Sequence, residues 1–355
     1  MVRKVGSSVI QREIGRGGMG VVYEAFQEAL DRRVAVKALD MKLSRSKEIV
    51  ERFRREGRAY AKLRHEAIVA VHDLVEKDEG LYLVTDFVDG ADLARLLSKG
   101  GALPPECVAL VGARVAEALD YVHFEGLRHR DVKPANVMVS REGEVKLMDF
   151  GIAKGEEDSS LTRHGMLVGS PSYMAPEVLA GESQDEDQEK AADVWALGIA
   201  LYELLTGEKP FRGKTSDELF TAIQRGRYVR VRALAPHCPR KLARAVERCL
   251  ARRPQARITA AALARTLGTI SAKLLGRKVH PRARLVALLA NRGFVTEEIA
   301  LAKLDASTLA ATRIADSRGT ATQAEFPVRR RHRARLAVAA LLATVAGLAA
   351  FFVRL

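Results

Sequence analysis

Cysteine is scarce: Cys107, Cys238 and Cys249 are the only three in 355 residues, and no two of them form a C-x-x-C. That excludes a disulfide framework and a cysteine-built zinc site, and it fits a reducing compartment. Met1 to Ser8 hold no apolar stretch of the kind a secretory leader needs, so no signal peptide is expected there. The glycine-rich stretch at 15–20 is not followed by a P-loop G-K-[ST]. The single apolar run of membrane length waits until residue 336. Positive charge is also short over most of the chain. Of the formal net charge of +14, residues 269–355 carry +10 (15 Lys+Arg against 5 Asp+Glu), which leaves +4 for residues 1–268. A nucleic-acid partner is therefore not expected for the main domain. The 48% hydrophobic content suffices for one large domain and a tail.

What is present centres on His129-Arg130-Asp131-Val132-Lys133-Pro134-Ala135-Asn136, answered thirteen residues later by Asp149-Phe150-Gly151. A lone carboxylate, a lysine two residues on, an asparagine three further and a second carboxylate beside a glycine suit phosphoryl transfer from a metal-bound nucleotide to a hydroxyl. That reaction needs a positioned acceptor, hard oxygen ligands for the metal and positive charge near the transferring oxygens. Upstream, Ile14-Gly15-Arg16-Gly17-Gly18-Met19-Gly20-Val21-Val22-Tyr23 places glycines where backbone can approach phosphate oxygens. Alone, this pattern equally fits a dinucleotide-binding turn or a mobile hairpin tip. Val-Val-Tyr reads as strand rather than helix, which favours a hairpin. Val34-Ala35-Val36-Lys37 follows as an alternating β-branched strand ending in lysine.

Together these segments resemble the protein kinases: a glycine-rich loop, V-A-V-K, an H-R-D-x-K-x-x-N loop with Val132 where Leu is usual, and D-F-G. The glycine loop and the appended tail resemble most the bacterial serine/threonine kinases of the eukaryotic-like type. The resemblance covers roughly residues 9–268 and implies an α+β, two-lobed fold. A small N-lobe (about 9–88) would carry an antiparallel sheet and one main helix, and a larger helical C-lobe (about 89–268) would close an ATP cleft.

It further implies roles. Lys37 grips the α- and β-phosphates and pairs with a glutamate on the helix predicted over Glu48–Leu63, namely Glu56, with Glu51 as the alternative. Ile14 to Val22, Ala35 and Met138 enclose the nucleotide. Thr85 is the gatekeeper, Asp86–Val88 the hinge that bonds the adenine edge, and Asp92 meets the ribose. Strands are predicted over Val69–Val75 and Leu81–Val88, and a helix over Ala109–Glu125. Asp131 receives or orients the acceptor proton and Lys133 offsets phosphoryl charge. Asn136 and Asp149 bind Mg²⁺, for which Mn²⁺ is an alternative. Lys133-Pro134 resembles the serine/threonine branch.

The polar stretch before Gly169-Ser170-Pro171-Ser172-Tyr173-Met174-Ala175-Pro176-Glu177 resembles an activation loop, with Ser170 in place of the usual threonine. Thr162, then Ser159 and Ser160, are the candidate phosphosites, and Arg130 the guanidinium a phosphate there would pair with. Glu177 should pair with Arg257, and Asp193 should brace the catalytic loop. Glu182–Glu189 reads as an acidic, solvated loop. A nucleotide-binding scaffold without transfer is the rival reading; intact Lys37, Glu56, Asp131, Asn136 and Asp149 speak against it. Gly169–Tyr173 with Ala175-Pro176-Glu177 speaks against a small-molecule kinase, and proteins with Ser/Thr acceptors are the expected partners.

Residues 269–335 form a basic linker in which Arg284–Leu289 and Glu297–Leu304 read as short helices. Arg329 to Arg335 then precede Leu336–Val353, eighteen uncharged residues that as a helix reach about 27 Å, enough for a thin bilayer. The arginines on its N-terminal flank place the kinase in the cytoplasm by the positive-inside rule, so a single-pass anchor in the cytoplasmic membrane is expected. Dimerisation is left open.

Overall fold

Alternation decides the first half of the chain. In the computed structural model, which describes residues 4–17, 20–40, 46–77, 80–151, 171–182, 184–276 and 279–296, the strands are β1 (Lys4–Val5), β2 (Ser8–Gly17), β3 (Gly20–Gln27), β4 (Arg32–Leu39), β5 (Val71–Lys77) and β6 (Gly80–Asp86). They form one antiparallel sheet in the order β1-β2-β3-β4-β6-β5. Side chains two apart share a face. Val34 and Val36 of β4 therefore join Ala25, Tyr82 and Val84 in one buried cluster. Ala35 and Lys37 turn to the other face, in register with Thr85 and Leu83.

Helix α1 (Lys47–Tyr60) is amphipathic at helical spacing, capped by Ser46, and buries Phe53, Glu56, Gly57 and Tyr60. A Cβ at Gly57 would meet Leu74 and Leu83 at 3.7–3.8 Å, ordinary contact distance. Gly20 is different, because its φ of +142° and an Ala38 carbonyl oxygen 1.8 Å from any Cβ admit glycine alone.

The second half is helical. After β7 (Gly90–Asp92) come α2 (Leu93–Gly100) and α3 (Pro105–Phe124). Strands β8 (Val137–Ser140) and β9 (Val145–Leu147) complete a small sheet with β7. Then follow α4 (Pro176–Leu179), α5 (Glu186–Thr206), α6 (Ser216–Arg225), α7 (Val231–Leu234), α8 (Arg240–Cys249), α9 (Ala260–Leu275) and α10 (Pro281–Asn291). Helices α3 and α5 are apolar nearly all round and lie in the middle, packed on each other, with α9 against α3 and α8 against α5. Trp195 of α5 is fully buried and stacks on Phe211 at 5.5 Å. All three cysteines lie in this core, and burial pushes the Cys107, Cys238 and Cys249 thiols up to about 12, 11 and 12.

One expectation is adjusted. Half of the acidic run at 182–189 is helix rather than loop, because Asp185 caps α5 and forms a capping box with Gln188. Glu186, Asp187 and Glu189 then sit in the first turn, where the helix dipole favours negative charge. The compact unit extends to Phe294, so residues just after 268 belong to it as well. Among the described residues no helix is long and apolar enough to cross a membrane, and Leu336–Val353 lies outside them, as does Glu297–Leu304.

Candidate active site

The cleft is lined by Ile14 and Val22 from the β2–β3 hairpin, Ala35 and Lys37 from β4, Thr85 to Val88 at and just beyond the end of β6, Met138 from β8 and Asp149. Gly15 faces Val22 and Gly17 faces Gly20 across the hairpin, whose tip residues Gly18 and Met19 lie outside the described residues. A Cβ at Gly15 or Gly17 would meet nothing within 4 Å, so the glycines leave open space rather than satisfy packing. Arg16 is exposed and ion-paired with Glu13 at 2.7 Å, and Val21 pairs with Ala38 in the sheet. Asp92 opposes Met138 in register, and its carboxylate caps α2 by accepting from the Arg95 amide at 2.8 Å.

The loop between α3 and β8 brings the polar groups together. Asp131 is buried, and its Oδ2 accepts from Lys133 Nζ at 2.7 Å and from Asn136 Nδ2 at 2.8 Å. The same Asn136 amide nitrogen donates to the Asp131 carbonyl at 2.8 Å. With its nitrogen spent there, Asn136 keeps its carbonyl oxygen as a hard ligand. Asp149 is held opposite by two backbone bonds, Met148 N to Asn136 O and Gly151 N to His129 O, both 2.9 Å. It adopts φ +57°, and Phe150 packs between Tyr60 and His129 with centroids 4.4 and 4.5 Å away. His129 Nε2 donates to the Met148 carbonyl and Nδ1 accepts from the Asp131 amide, the pattern of a neutral ring. Burial holds its pKa below the ordinary value.

Asp193 of α5 braces this loop. Its carboxylate accepts from the amides of His129 (2.9 Å) and Arg130 (2.8 Å) and from His123 Nε2 (2.9 Å). Burial opposes its charge, but the bond and charge of His123, with the amide of His129, hold the carboxyl below the usual range. Arg130 can then sit at φ +62°, a strained conformation for a side-chain-bearing residue. Further down, Glu177 and Arg257 form a buried bidentate pair at 2.5 and 2.7 Å.

One expected pair is not formed. Lys37 bonds Asp149 Oδ1 at 2.9 Å, and Glu56 instead takes Arg130 at 3.3 Å. Arg130 also reaches Glu189 at 3.5 Å, and Asp149 is the carboxylate at hydrogen-bond distance from Lys37. Glu51, the alternative, is exposed on the outer face of α1. Glu56 Oε2 is buried without a hydrogen-bond partner among the described residues, and burial outweighs Arg130, raising the carboxyl to about 7. Thr162, Ser159 and Ser160 lie outside the described residues.

Some contributors left no clear mark in the sequence. Tyr60 donates its hydroxyl to the Arg128 carbonyl at 2.8 Å, tying α1 to the catalytic loop. Its spacing of four from Glu56, one helical turn, was the available signal. His123 had none, since a histidine near the end of a long helix is ordinary. Tyr173 donates to Glu203 at 2.5 Å beneath the segment that leads into α4.

A small antiparallel sheet with one helix, a larger helical lobe and a polar loop facing the cleft between them make up the two-lobed architecture of the protein kinase fold. The chain belongs to the protein kinase domain family, which matches residues 8–266. Two of its curated relatives are bacterial kinases. It is 38% identical over 253 residues to the serine/threonine-protein kinase PknH of Mycobacterium bovis, covering 71% of this chain and 42% of that one. It is 37% identical over 308 residues to PkaA of Streptomyces coelicolor, also a serine/threonine-protein kinase, covering 82% and 54%. The chain thus spans about half or less of these relatives' length. Among solved structures, Rad53 1–466 in complex with AMP-PNP superposes with a TM-score of 0.62 at 28% identity, covering 73% of this chain and 64% of that one.

Proposed function

We propose that the chain is a serine/threonine protein kinase that uses Mg-ATP. The observation carrying this is the single cluster in which Asp131, Lys133 and Asn136 bond one another while Asp149 is pinned opposite. The names of the bacterial relatives and the nucleotide analogue in Rad53 support it. The residues fit the nucleotide and metal. The glycine hairpin has space where a Cβ would intrude, and Asn136 and Asp149 offer the hard oxygen donors that Mg²⁺ prefers.

In this reading Asp131 orients the acceptor hydroxyl and takes its proton, and Lys133 moves from Asp131 toward the developing charge. Asn136 Oδ1 and the Asp149 carboxylate would hold Mg²⁺, with Lys37 on the phosphates. Bound Mg-ATP supplies the phosphoryl group and neutralises charge on its oxygens. Ala35, Val22 and Met138 pack the purine, the backbone of Asp86–Val88 bonds its edge, and Asp92 takes the ribose.

The observed pairs support a resting arrangement. Phosphate on Thr162, or on Ser159 or Ser160, would compete with Glu56 for Arg130, and Glu56 would turn to Lys37 as metal takes Asp149. We further propose that 9–88 and 89–268 are the two lobes, that 269–335 joins them to a membrane span at 336–353, and that proteins are the substrates. Incubation of the full chain with Mg-ATP, read by mass spectrometry beside Asp131→Asn, tests the enzyme. Phosphate on the loop of the wild type alone is expected. No transfer to itself or to basic protein substrates, despite ATP binding, would overturn the kinase reading in favour of a scaffold. A membrane pellet assay with residues 336–355 deleted tests the anchor, which an unchanged distribution would sink.

A further inference from the structure

The residues after the family match, 279–294, belong to the same compact unit as the catalytic core. Helix α10 buries Leu285, Val286, Leu288 and Leu289 and packs on α3 and β8. Its first turn is fastened by Arg284, whose Nε and Nη2 donate to Glu106 at 3.0 and 2.7 Å, and by Arg282 with Glu144 at 3.2 Å. The approach is at backbone distance, since a Cβ on Gly143 would lie 2.3 Å from the Arg282 carbonyl oxygen.

At its other end the segment grips α2. Arg292 donates to the carbonyls of Leu96 (3.1 Å), Gly101 (3.4 Å) and Ala102 (3.0 Å), at the last turn of that helix and just beyond. A guanidinium there opposes the partial negative charge at the C-terminal end of the helix. Phe294 lies under two cations of the same helix, Arg95 at 5.0 Å and Lys99 at 4.5 Å. Lys99 also bonds the Gly293 carbonyl at 3.4 Å. Arg95 is the key residue. Its side chain covers Phe294, and its amide is the group capped by Asp92.

We infer that residues 281–294 are a positioning strap that fixes α2 from behind and so sets Asp92, the in-register neighbour of the cleft residue Met138, at the nucleotide cleft. Arg292 and Phe294 are its positioning residues. The inference rests on the kinase reading only in taking Asp92 as a nucleotide contact.

The test uses the full chain and the variants Arg292→Ala, Arg292→Lys and Phe294→Leu. Two readouts are taken: steady-state kinetics against ATP with a basic protein substrate, and amide hydrogen exchange across α2. Both Arg292→Ala and Phe294→Leu should raise KM for ATP about three- to tenfold with kcat within about twofold, as the lost charged hydrogen bonds of the one and the lost cation–π contacts of the other imply. Exchange in α2 should quicken, and Arg292→Lys should restore part of both. Faster exchange with unchanged KM, or a fall in kcat matching the change in kcat/KM, would overturn the positioning role. Unchanged exchange would overturn the strap itself. A wild type without transfer or ATP binding would count against the kinase reading instead, and exchange in α2 would still decide the strap.

Discussion

Replacing Arg257 by alanine strikes a buried, fully hydrogen-bonded guanidinium in the larger lobe. Its five N–H groups meet five acceptors: both Glu177 oxygens and the carbonyls of Ala191 (3.1 Å), Ala251 (2.9 Å) and Arg252 (3.2 Å). Its guanidinium also lies 4.9 Å from the ring centre of Trp195. Truncation leaves the Glu177 carboxylate, only 6% exposed, without its counter-charge. Breaking a buried pair from one side costs about 3–5 kcal/mol, and at about 2 °C per kcal/mol for a domain of this size the melting midpoint should fall by about 6–10 °C. Calorimetry of the full chain measures it. The informative control is the double variant Arg257→Met with Glu177→Leu, which fills similar volume and strands no charge. It should recover most of the loss, since well-packed apolar replacements of buried pairs are often neutral. A midpoint shift below about 2 °C for Arg257→Ala, or a double variant no better than the single, would refute the reasoning that an uncompensated charge dominates.

Other consequences can be checked separately. Asp131→Asn should reduce transfer by about 10²–10⁴ while ATP affinity stays within about twofold; near-wild-type turnover would remove Asp131 from the chemistry. Gly57→Ala should raise stability by about 0.5–1 kcal/mol, because the added methyl meets Leu74 and Leu83 at contact distance and glycine is poor in a helix interior. A lower denaturant midpoint would contradict this. Glu56 has a folded-state pKa near 7, raised from an ordinary 4.5, so the folded state holds the proton more tightly. Its contribution is fully present below pH 4.5 and is lost as pH rises through about 7, on the order of 3 kcal/mol. Glu56→Gln should flatten that part of the stability profile, and an unchanged slope would show that another group titrates there.

How much of this was readable beforehand depends on the range of the forces involved. The catalytic loop, the glycine hairpin and the Lys37 strand are local patterns, and each residue's neighbours in sequence are its neighbours in space. Asp193 and Arg257 could be assigned because their surrounding motifs resemble those of the family. The partner of Lys37 was not readable. Whether Glu56 meets Lys37 or Arg130 depends on how α1 sits against the sheet, a matter of tertiary packing that neither residue encodes. The same holds for Arg292, whose acceptors are carbonyls about 190 residues earlier and therefore carry no side-chain signature. The acidic run at 182–189 misled for another reason. Charge density reads as solvation, yet at a capped helix start it stabilises the first turn.

The three cysteines have a practical side. Thiol reagents attack the thiolate, and each native sulfur is both shielded from solvent and protonated at neutral pH. The natural chain is therefore already a silent background for labelling chemistry. Cysteines introduced at exposed positions on either side of the cleft, Arg58→Cys on α1 and Glu125→Cys after α3, should be modified stoichiometrically while the native three stay untouched. A pair of spin labels there would turn lobe closure into a distance read directly in solution, without first stripping the protein of its own sulfur.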